Sequence, residues 1–320
     1  MLRWGVLGTA NIAKKALIPA IERAFDQEVI AVASSSGNEK AFAEEMNIAT
    51  SYSSYEELLE QNEIDAVYIP LPNHTHKEWV LKAAEAGKHV LCEKPAALTR
   101  EDTAEMIDVC NRNNVKFLEA FMYQFHPQHQ WVKDLIDGGE IGKIQMMKAS
   151  FTFPLGEEDY NIRLDSSKGG GSMWDVGSYG THVILDMLEG SPAESKVISK
   201  KGKEYDVDVA SLISMKMEDG VLAQIDCGFT MPLRHQYEIV GAIGRITVPF
   251  AFRPDNNDHE GVIRIENKDG IREETISGDQ YRQQVEAFAN AIRDDESLEA
   301  YHKHTLDNIH LLEQLYAQGK

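Results

Sequence analysis

The chain has 320 residues, 42% of them hydrophobic and 26% charged, which is enough for two domains that each bury a core. Its 52 acidic and 32 basic residues give a net charge of -20, which argues against nucleic acid or an anionic membrane surface as partner. No stretch approaches the roughly 20 apolar residues of a membrane span, no small-residue cleavage signal precedes the first strand, and Cys92, Cys110 and Cys227 show no metal spacing, so a cytoplasmic protein without a metal is expected.

The apolar run Trp4-Gly5-Val6-Leu7 stops at Gly8-Thr9-Ala10-Asn11-Ile12-Ala13, and helical spacing follows through Ala16, Leu17, Ala20, Ile21 and Ala24. A strand that turns through glycine straight into a helix leaves free N–H groups and a positive dipole end, which suit a pyrophosphate. The match is Gly-x-Ala-x-x-Ala, with alanine where glycine is usual, so by itself it also describes an ordinary strand-to-helix turn. A second strand over 29–33 completes a βαβ unit and makes Gly8, Thr9, Ala10, Asn11 and Ile12 candidate dinucleotide contacts. That strand runs into Ser34, Ser35, Ser36, Gly37, Asn38, Glu39 and Lys40. Three hydroxyls and a lysine there favour the 2′-phosphate of NADP, with NAD as the alternative, while Glu28 precedes the strand and belongs at its other end. The same segment also suits the cap of a helix over 40–46.

Strands over 66–70, 89–92 and 116–120 then alternate with helices around Trp79, Leu81 and Ala84 and over 101–111. Alternation of this kind predicts an open, doubly wound parallel sheet, a Rossmann domain over residues 1–122. After a helix over 128–136, strand-like segments dominate at 144–153, 209–217, 221–229, 237–240, 245–250 and 262–266, and helices over 281–293 and 305–317 close the chain. Asp219-Gly220 reads as a hairpin turn, with Val221, Ala223, Ile225, Cys227 and Phe229 on one face and Gln224 and Asp226 on the other. The expected class is therefore α/β plus α+β, with residues 123–320 forming a substrate domain on an open, mainly antiparallel sheet.

Three segments concentrate the chemistry. Leu71, Pro72, Asn73 and His74 follow a parallel strand at the carboxyl edge, where open sheets bind ligands, and His76 reads as positional. Glu93-Lys94-Pro95 ends the next strand on the same edge, with Glu93 and Lys94 close to the nicotinamide position. Asp175, Tyr179 and His182 follow the triplet Gly169-Gly170-Gly171 at spacings that share one helix face. Tyr160, Asn161 and Arg163 precede that triplet and are placed to reach a polyol. Each has a structural counterpart: Asp175 as a helix N-terminal acid on the dipole, Tyr179 and His182 as packed core, Arg163 as a solvated loop cation.

These segments resemble the glucose-fructose oxidoreductase and inositol dehydrogenase family (Gfo/Idh/MocA) over nearly the whole chain. Glu93-Lys94-Pro95 is similar to the family's signature tripeptide, and residues 119–127 and the glycine triplet through Asp175 are similar to further family motifs. Tyrosine at 179, together with Ser36-Gly37-Asn38-Glu39-Lys40, resembles the NADP-using branch of xylose and dihydrodiol dehydrogenases. The resemblance implies hydride transfer between a nicotinamide and a hydroxyl-bearing carbon of a small polyhydroxylated substrate. It also implies catalysis by Lys94, Tyr179 and Asp175, substrate contacts that add Tyr123, Asn161, Arg163 and His182, and a homodimer or higher homo-oligomer through the second sheet.

An alcohol that gives up hydride must also lose a proton, so such a site needs a base and a charge to stabilise the alkoxide. Tyrosine ordinarily titrates at about 10, and lowering it by two units needs about 2.7 kcal/mol. A lysine ammonium at about 4 Å contributes roughly 4 kcal/mol at an effective dielectric of 20, so a Tyr179–Lys94 pair suffices. A glycosidase that uses its nicotinamide transiently, and a sensor that binds NADP without turnover, are the competing readings.

Overall fold

A computed structural model describes residues 1–156, 161–188, 190–203 and 205–320. It divides into two units, Met1–Phe121 with Tyr281–Leu306, and Met122–Gln280 with Asp307–Lys320. The segment Tyr281–Leu306, which periodicity alone leaves with 123–320, groups with the first unit through contacts far apart in sequence. Trp4 lies 5.6 Å from the Phe288 ring, Gln27 donates to the Val285 carbonyl at 3.3 Å, and His302 Nε2 sits 2.9 Å from the Phe117 carbonyl.

The first unit carries strands β1 (Leu2–Leu7), β2 (Gln27–Ala33), β3 (Thr50–Tyr52), β4 (Ala66–Ile69), β5 (His89–Cys92) and β6 (Phe117–Glu119). All run parallel in the order β3-β2-β1-β4-β5-β6, the doubly wound arrangement expected from the alternating pattern. Trp4, Val6, Leu7, Val67, Ile69, Val90 and Leu91 are fully buried because helices cover both faces of the central strands. Each such aliphatic side chain contributes about 1.5–3 kcal/mol. The edge strand β3 is missing from the sequence reading, since Thr50-Ser51-Tyr52 is three half-buried residues without an apolar pattern.

The second unit folds on one sheet of β7 (Ile144–Pro154), β8 (Pro192–Lys201), β9 (Asp208–Met217), β10 (Leu222–Gly228), β11 (Thr230–Gly241), β12 (Gly244–Val248), β13 (Glu260–Asn267) and β14 (Gly270–Ser277). Their order is β14-β13-β12-β11-β7-β10-β9-β8, antiparallel throughout except for β7 against β10. The β9–β10 hairpin turns through Gly220 at φ +92°, and Val221, Ala223, Ile225, Cys227 and Phe229 all point inward as the alternation predicts. The two strands that the sequence reading lacks, β8 and β14, are the sheet's edges. Charged residues such as Lys196, Lys200, Lys201, Arg272 and Glu273 hide their period, while shielding the exposed backbone from further pairing.

Candidate active site

The first turn is built as its sequence requires. Gly8 has φ +116°, a conformation that side chains rarely adopt, and an added Cβ would stand 3.0 Å from the Leu71 side chain. Asn11 and Ile12 open a helix that runs through a π turn at Ala13–Leu17 into Ile18–Arg23, and the Ala10 carbonyl accepts from the Lys14 N–H. A network missing from the sequence reading joins this turn to the end of β2. The Thr9 hydroxyl and Asn38 amide exchange contacts at 2.9–3.1 Å, Ser36 Oγ lies 3.0 Å from Asn38 Oδ1, and Ser34 Oγ lies 2.8 Å from Ser36 Oγ. Ser35 and Lys40 are exposed beside it. Glu28 pairs in register with Arg3 at the amino end of the strands, away from this cluster. A glycine cradle next to a helix start, with clustered hydroxyls at the end of the next strand, fits a dinucleotide bearing a 2′-phosphate.

Lys94 is carried by a loop fixed on three sides. The Tyr68 phenol of β4 donates to Glu93 Oε1. His76 bridges two loops, its Nδ1 at 2.9 Å from the Pro95 carbonyl and its Nε2 at 2.7 Å from that of Leu71. Glu119, the last residue of β6, accepts the Ala96 N–H at 2.7 Å. Lys94 itself is half-buried and its peptide bond to Pro95 is cis. Burial pushes the Tyr68 phenol and the Cys92 thiol well up and the His76 imidazole down, and a neutral imidazole donates to only one of its two facing carbonyls. Asn73 and His74 form a short 3-10 turn after Pro72, with Asn73 half-buried and His74 exposed. The positional role read for His76 is thus concrete. Tyr68 escapes sequence reasoning because it reads as an ordinary strand residue, and Glu119 reads only as the first residue of the 119–127 motif, without a role.

The second unit places its candidates around the helix that follows the glycine triplet. A π turn over Met173–Gly177 leads into the α-helix Ser178–Met187. Asp175 pairs with Arg163 at 2.7 Å, and Asn161 Oδ1 accepts the Arg163 N–H at 3.0 Å, so these three residues form one cluster. Tyr179 is 5% exposed. Its ring packs within 5.0–5.9 Å of Phe151, Phe252 and Tyr123, and its hydroxyl lies 3.5 Å from Met122 Sδ. Tyr123 is fully buried and meets His182 Nδ1 at 2.6 Å, and burial raises its phenol well above the ordinary range. Tyr160 lies outside the described residues.

Asp208 is the organiser that sequence reasoning missed. Its Oδ2 accepts from the Ser172 hydroxyl at 2.6 Å, the Met173 N–H at 2.8 Å and the Ser211 hydroxyl at 3.2 Å, pinning the start of the helix. Gly171, at φ +118°, admits it, since a Cβ there would stand 2.4 Å from Asp208 Oδ1. Gly170 likewise packs where a Cβ would meet the Arg163 carbonyl at 2.6 Å. No signal near the triplet points to an acid 36 residues on. Among the described residues no group of three or more His, Cys, Asp or Glu is arranged to hold a metal, and no helix is long and apolar enough to cross a membrane.

Comparison with known proteins gives the context for this geometry. Residues 2–121 match the model of the oxidoreductase family with an NAD-binding Rossmann fold, GFO_IDH_MocA, and residues 129–247 match the GFO/IDH/MocA C-terminal domain. The chain is 33% identical, over 100% of its length and 98% of the relative's, to D-xylose 1-dehydrogenase (NADP(+)) 2 of Haloferax volcanii. It is 37% identical to the dTDP-3,4-didehydro-2,6-dideoxy-alpha-D-glucose 3-reductase of Saccharopolyspora spinosa, covering 91% of this chain and 88% of that one. A crystal structure of a 3-ketoreductase from Actinomadura kijaniata, in complex with NADP and TDP-benzene, superposes with a TM-score of 0.93 at 31% identity, over 100% of this chain and 98% of that one.

Proposed function

The chain belongs to the Gfo/Idh/MocA oxidoreductase family, and from that premise we propose that it moves hydride between NADP and a carbinol or ketone carbon of a sugar. Relatives named as an NADP-dependent xylose dehydrogenase and as ketosugar reductases support an oxidoreductase, against both the glycosidase and the non-catalytic sensor. Bound NADP supplies or accepts the hydride at its nicotinamide. Gly8, Thr9, Ala10, Asn11 and Ile12 would hold its pyrophosphate. Ser34, Ser35, Ser36 and Lys40 would hold the 2′-phosphate, and Leu71, Pro72, Asn73, His74, Glu93 and Lys94 the ribose and nicotinamide end.

The protein's own work is to orient the sugar and to move one proton. In oxidation Tyr179 takes the carbinol proton as hydride leaves, and in reduction it returns that proton to the oxygen. Lys94 donates to the same oxygen and stabilises its developing negative charge. Asp175 and Arg163, already paired, offer an acceptor and donors to neighbouring hydroxyls, with Asn161, Tyr123 and His182 supporting them. The observation that carries the reading is the loop of Lys94, tied down at Glu93, Pro95 and Ala96 by three different elements.

The reading extends to a cytoplasmic homodimer through the uncovered face of the large sheet. Ile198, Leu212 and Leu222 are 51–63% exposed on the outward-facing strands β8, β9 and β10, which supports an apolar contact there. The buried, unbridged Cys92, Cys110 and Cys227 suit a reducing compartment. The direct test follows NADPH absorbance with NADP+ against aldoses, polyols and dihydrodiols, and with NADPH against TDP-linked ketosugars. Turnover of one class, at least tenfold weaker with NAD, is expected from roughly 1.4 kcal/mol of 2′-phosphate recognition. No turnover across the panel, or full turnover in Lys94→Met, overturns the assignment.

A further inference from the structure

We propose that Asp208 is a positioning residue for the sugar, acting through the backbone of Gly171 on the Arg163–Asp175 pair. It rests on the reading of that pair as hydrogen-bonding partners of the sugar's hydroxyls. Gly171 grips both members of the pair by their backbones. Its N–H donates to the Arg163 carbonyl at 2.8 Å and its carbonyl accepts the Asp175 N–H at 3.1 Å, while the Arg163 guanidinium closes the ring on the Asp175 carboxylate at 2.7 Å. Gly170 braces the same loop, donating to the Asp165 carbonyl at 2.9 Å and packing where a Cβ would lie 2.6 Å from the Arg163 carbonyl. Arg163 and Asp175 have further contacts of their own, so what Gly171 sets is the spacing of their backbones.

Asp208 fixes Gly171 in turn. Its carboxylate meets three consecutive residues: Oδ1 stands where a Gly171 Cβ would come within 2.4 Å, and Oδ2 accepts from the Ser172 hydroxyl at 2.6 Å and the Met173 N–H at 2.8 Å. Asp208 opens β9 and pairs in register with Lys201 of β8, so it refers a loop and a helix start to the sheet. A helix cap alone needs one acceptor for the Met173 N–H. The second oxygen is buried without a hydrogen-bond partner, and its neighbour is the Gly171 backbone. Through that atom a change at 208 reaches Arg163 and Asp175. Asparagine keeps one acceptor but puts an NH2 group in place of the other oxygen, so it disturbs either the Gly171 contact or the donors on Oδ2.

Arginine labelled with 15N at Nε reads the pair in the full chain without substrate. The Arg163 Nε–H resonance, identified by its absence from Arg163→Ala, is expected at the position of a hydrogen-bonded guanidinium. In Asp208→Asn it moves towards solvated arginines and exchanges faster with water. Ser172→Ala, which leaves the carboxylate on the Met173 N–H, moves it the same way by less, and it decides the matter alone if Asp208→Asn does not fold. A resonance unmoved in the folded variants overturns the proposal, even where urea unfolding shows lost stability, because Asp208 is then a cap and nothing more. With a sugar found active in the panel above, Asp208→Asn should raise KM about five- to tenfold and change kcat less than about threefold. Added to Arg163→Ala it should raise KM no further, since both act on one pair. Additive effects on KM, or a KM within about twofold of wild type, overturn the positioning role. An unchanged KM in Arg163→Ala, or inactivity on every sugar, instead overturns the reading of the site, which the substrate-free resonance does not depend on.

Discussion

The carboxyl edge of the parallel sheet and the helix after the glycine triplet each present candidate catalytic side chains, yet they secure them by different physics. Lys94 sits on a loop whose neighbours are tied by hydrogen bonds from Tyr68, His76 and Glu119. Tyr179 sits in a layer of rings from Phe151, Phe252 and Tyr123, on a helix whose first turn is pinned by Asp208. A hydrogen-bonded loop can be re-aimed by one proton or one deleted acceptor. A packed aromatic layer holds its phenol through volume, and it fails when space is filled or lost.

The largest expected effect tests whether both regions share the chemistry. Lys94→Met and Tyr179→Phe should each lower kcat by about 10²- to 10⁴-fold, the usual worth of a proton-transfer or charge-stabilising group, with thermal unfolding little changed. If only one variant loses turnover, the chemistry belongs to that region and the comparison breaks. The next effect concerns stability. Gly171→Ala forces a Cβ to 2.4 Å from the hydrogen-bonded Asp208 carboxylate, whereas Gly8→Ala meets only the flexible end of Leu71 at 3.0 Å. Both carry the strain of positive φ, so urea unfolding should show a loss of about 1–2 kcal/mol for Gly8→Ala and about 3 kcal/mol or more for Gly171→Ala. Equal losses would mean that the second unit's helix start is no more rigidly held than the first turn.

The same contrast decides what the sequence could reveal. In the parallel sheet, ligand-facing residues fall at strand ends, so Gly8, the serines after β2 and Lys94 announce themselves by position along the chain. The elements read there from periodicity also stand in the structure, which adds the short edge strand β3 and a short helix over Tyr55–Leu59. In the antiparallel unit, neighbours come from strands far apart: Tyr179 touches Phe151 on β7 and Phe252 beyond β12, and no local pattern announces such partners. Asp208 is equally silent, because an acid at the start of a strand reads as a turn residue until its partners Ser172 and Met173 are known. The edge strands β8 and β14 escape for a related reason. Their charged faces serve solubility and erase the alternation that marks a half-buried strand.

Cofactor choice gives a smaller effect that sharpens the loop side of the comparison. Ser36 is held between Ser34 and Asn38, and Asn38 in turn contacts Thr9, so position 36 is a fixed point in a network that spans two strand ends. Ser36→Asp sets a carboxylate where a 2′-phosphate would lie and offers an acceptor to a ribose hydroxyl instead. The ratio of kcat/KM for NADP over NAD should fall about 10- to 100-fold, equivalent to about 1.4–2.7 kcal/mol. An unchanged ratio would show that the network is only a helix cap.

The smallest effect separates the two units by their response to acid. Burial lowers His126, His129 and His235 in the second unit, His129 to about 3, and lowers His76, His89 and His302 in the first. A histidine depressed on folding binds its proton more readily in the unfolded chain, so stability falls as pH drops below about 6.5. Between pH 7 and 5.5 a strongly depressed histidine costs about 1 kcal/mol. Glu119 works with the opposite sign. A carboxyl raised to about 7 takes up its proton in the folded state first, so over the same interval it adds about 1.5 kcal/mol. Only the first unit holds that group, and it offsets at least one of the three histidines there. Hydrogen exchange at pH 7 and 5.5, corrected for intrinsic rates, should therefore show protection falling more across β7–β13 than across β1–β6. In Glu119→Gln the two units should fall together, and a first unit that stays as protected without Glu119 would remove the carboxyl from the balance.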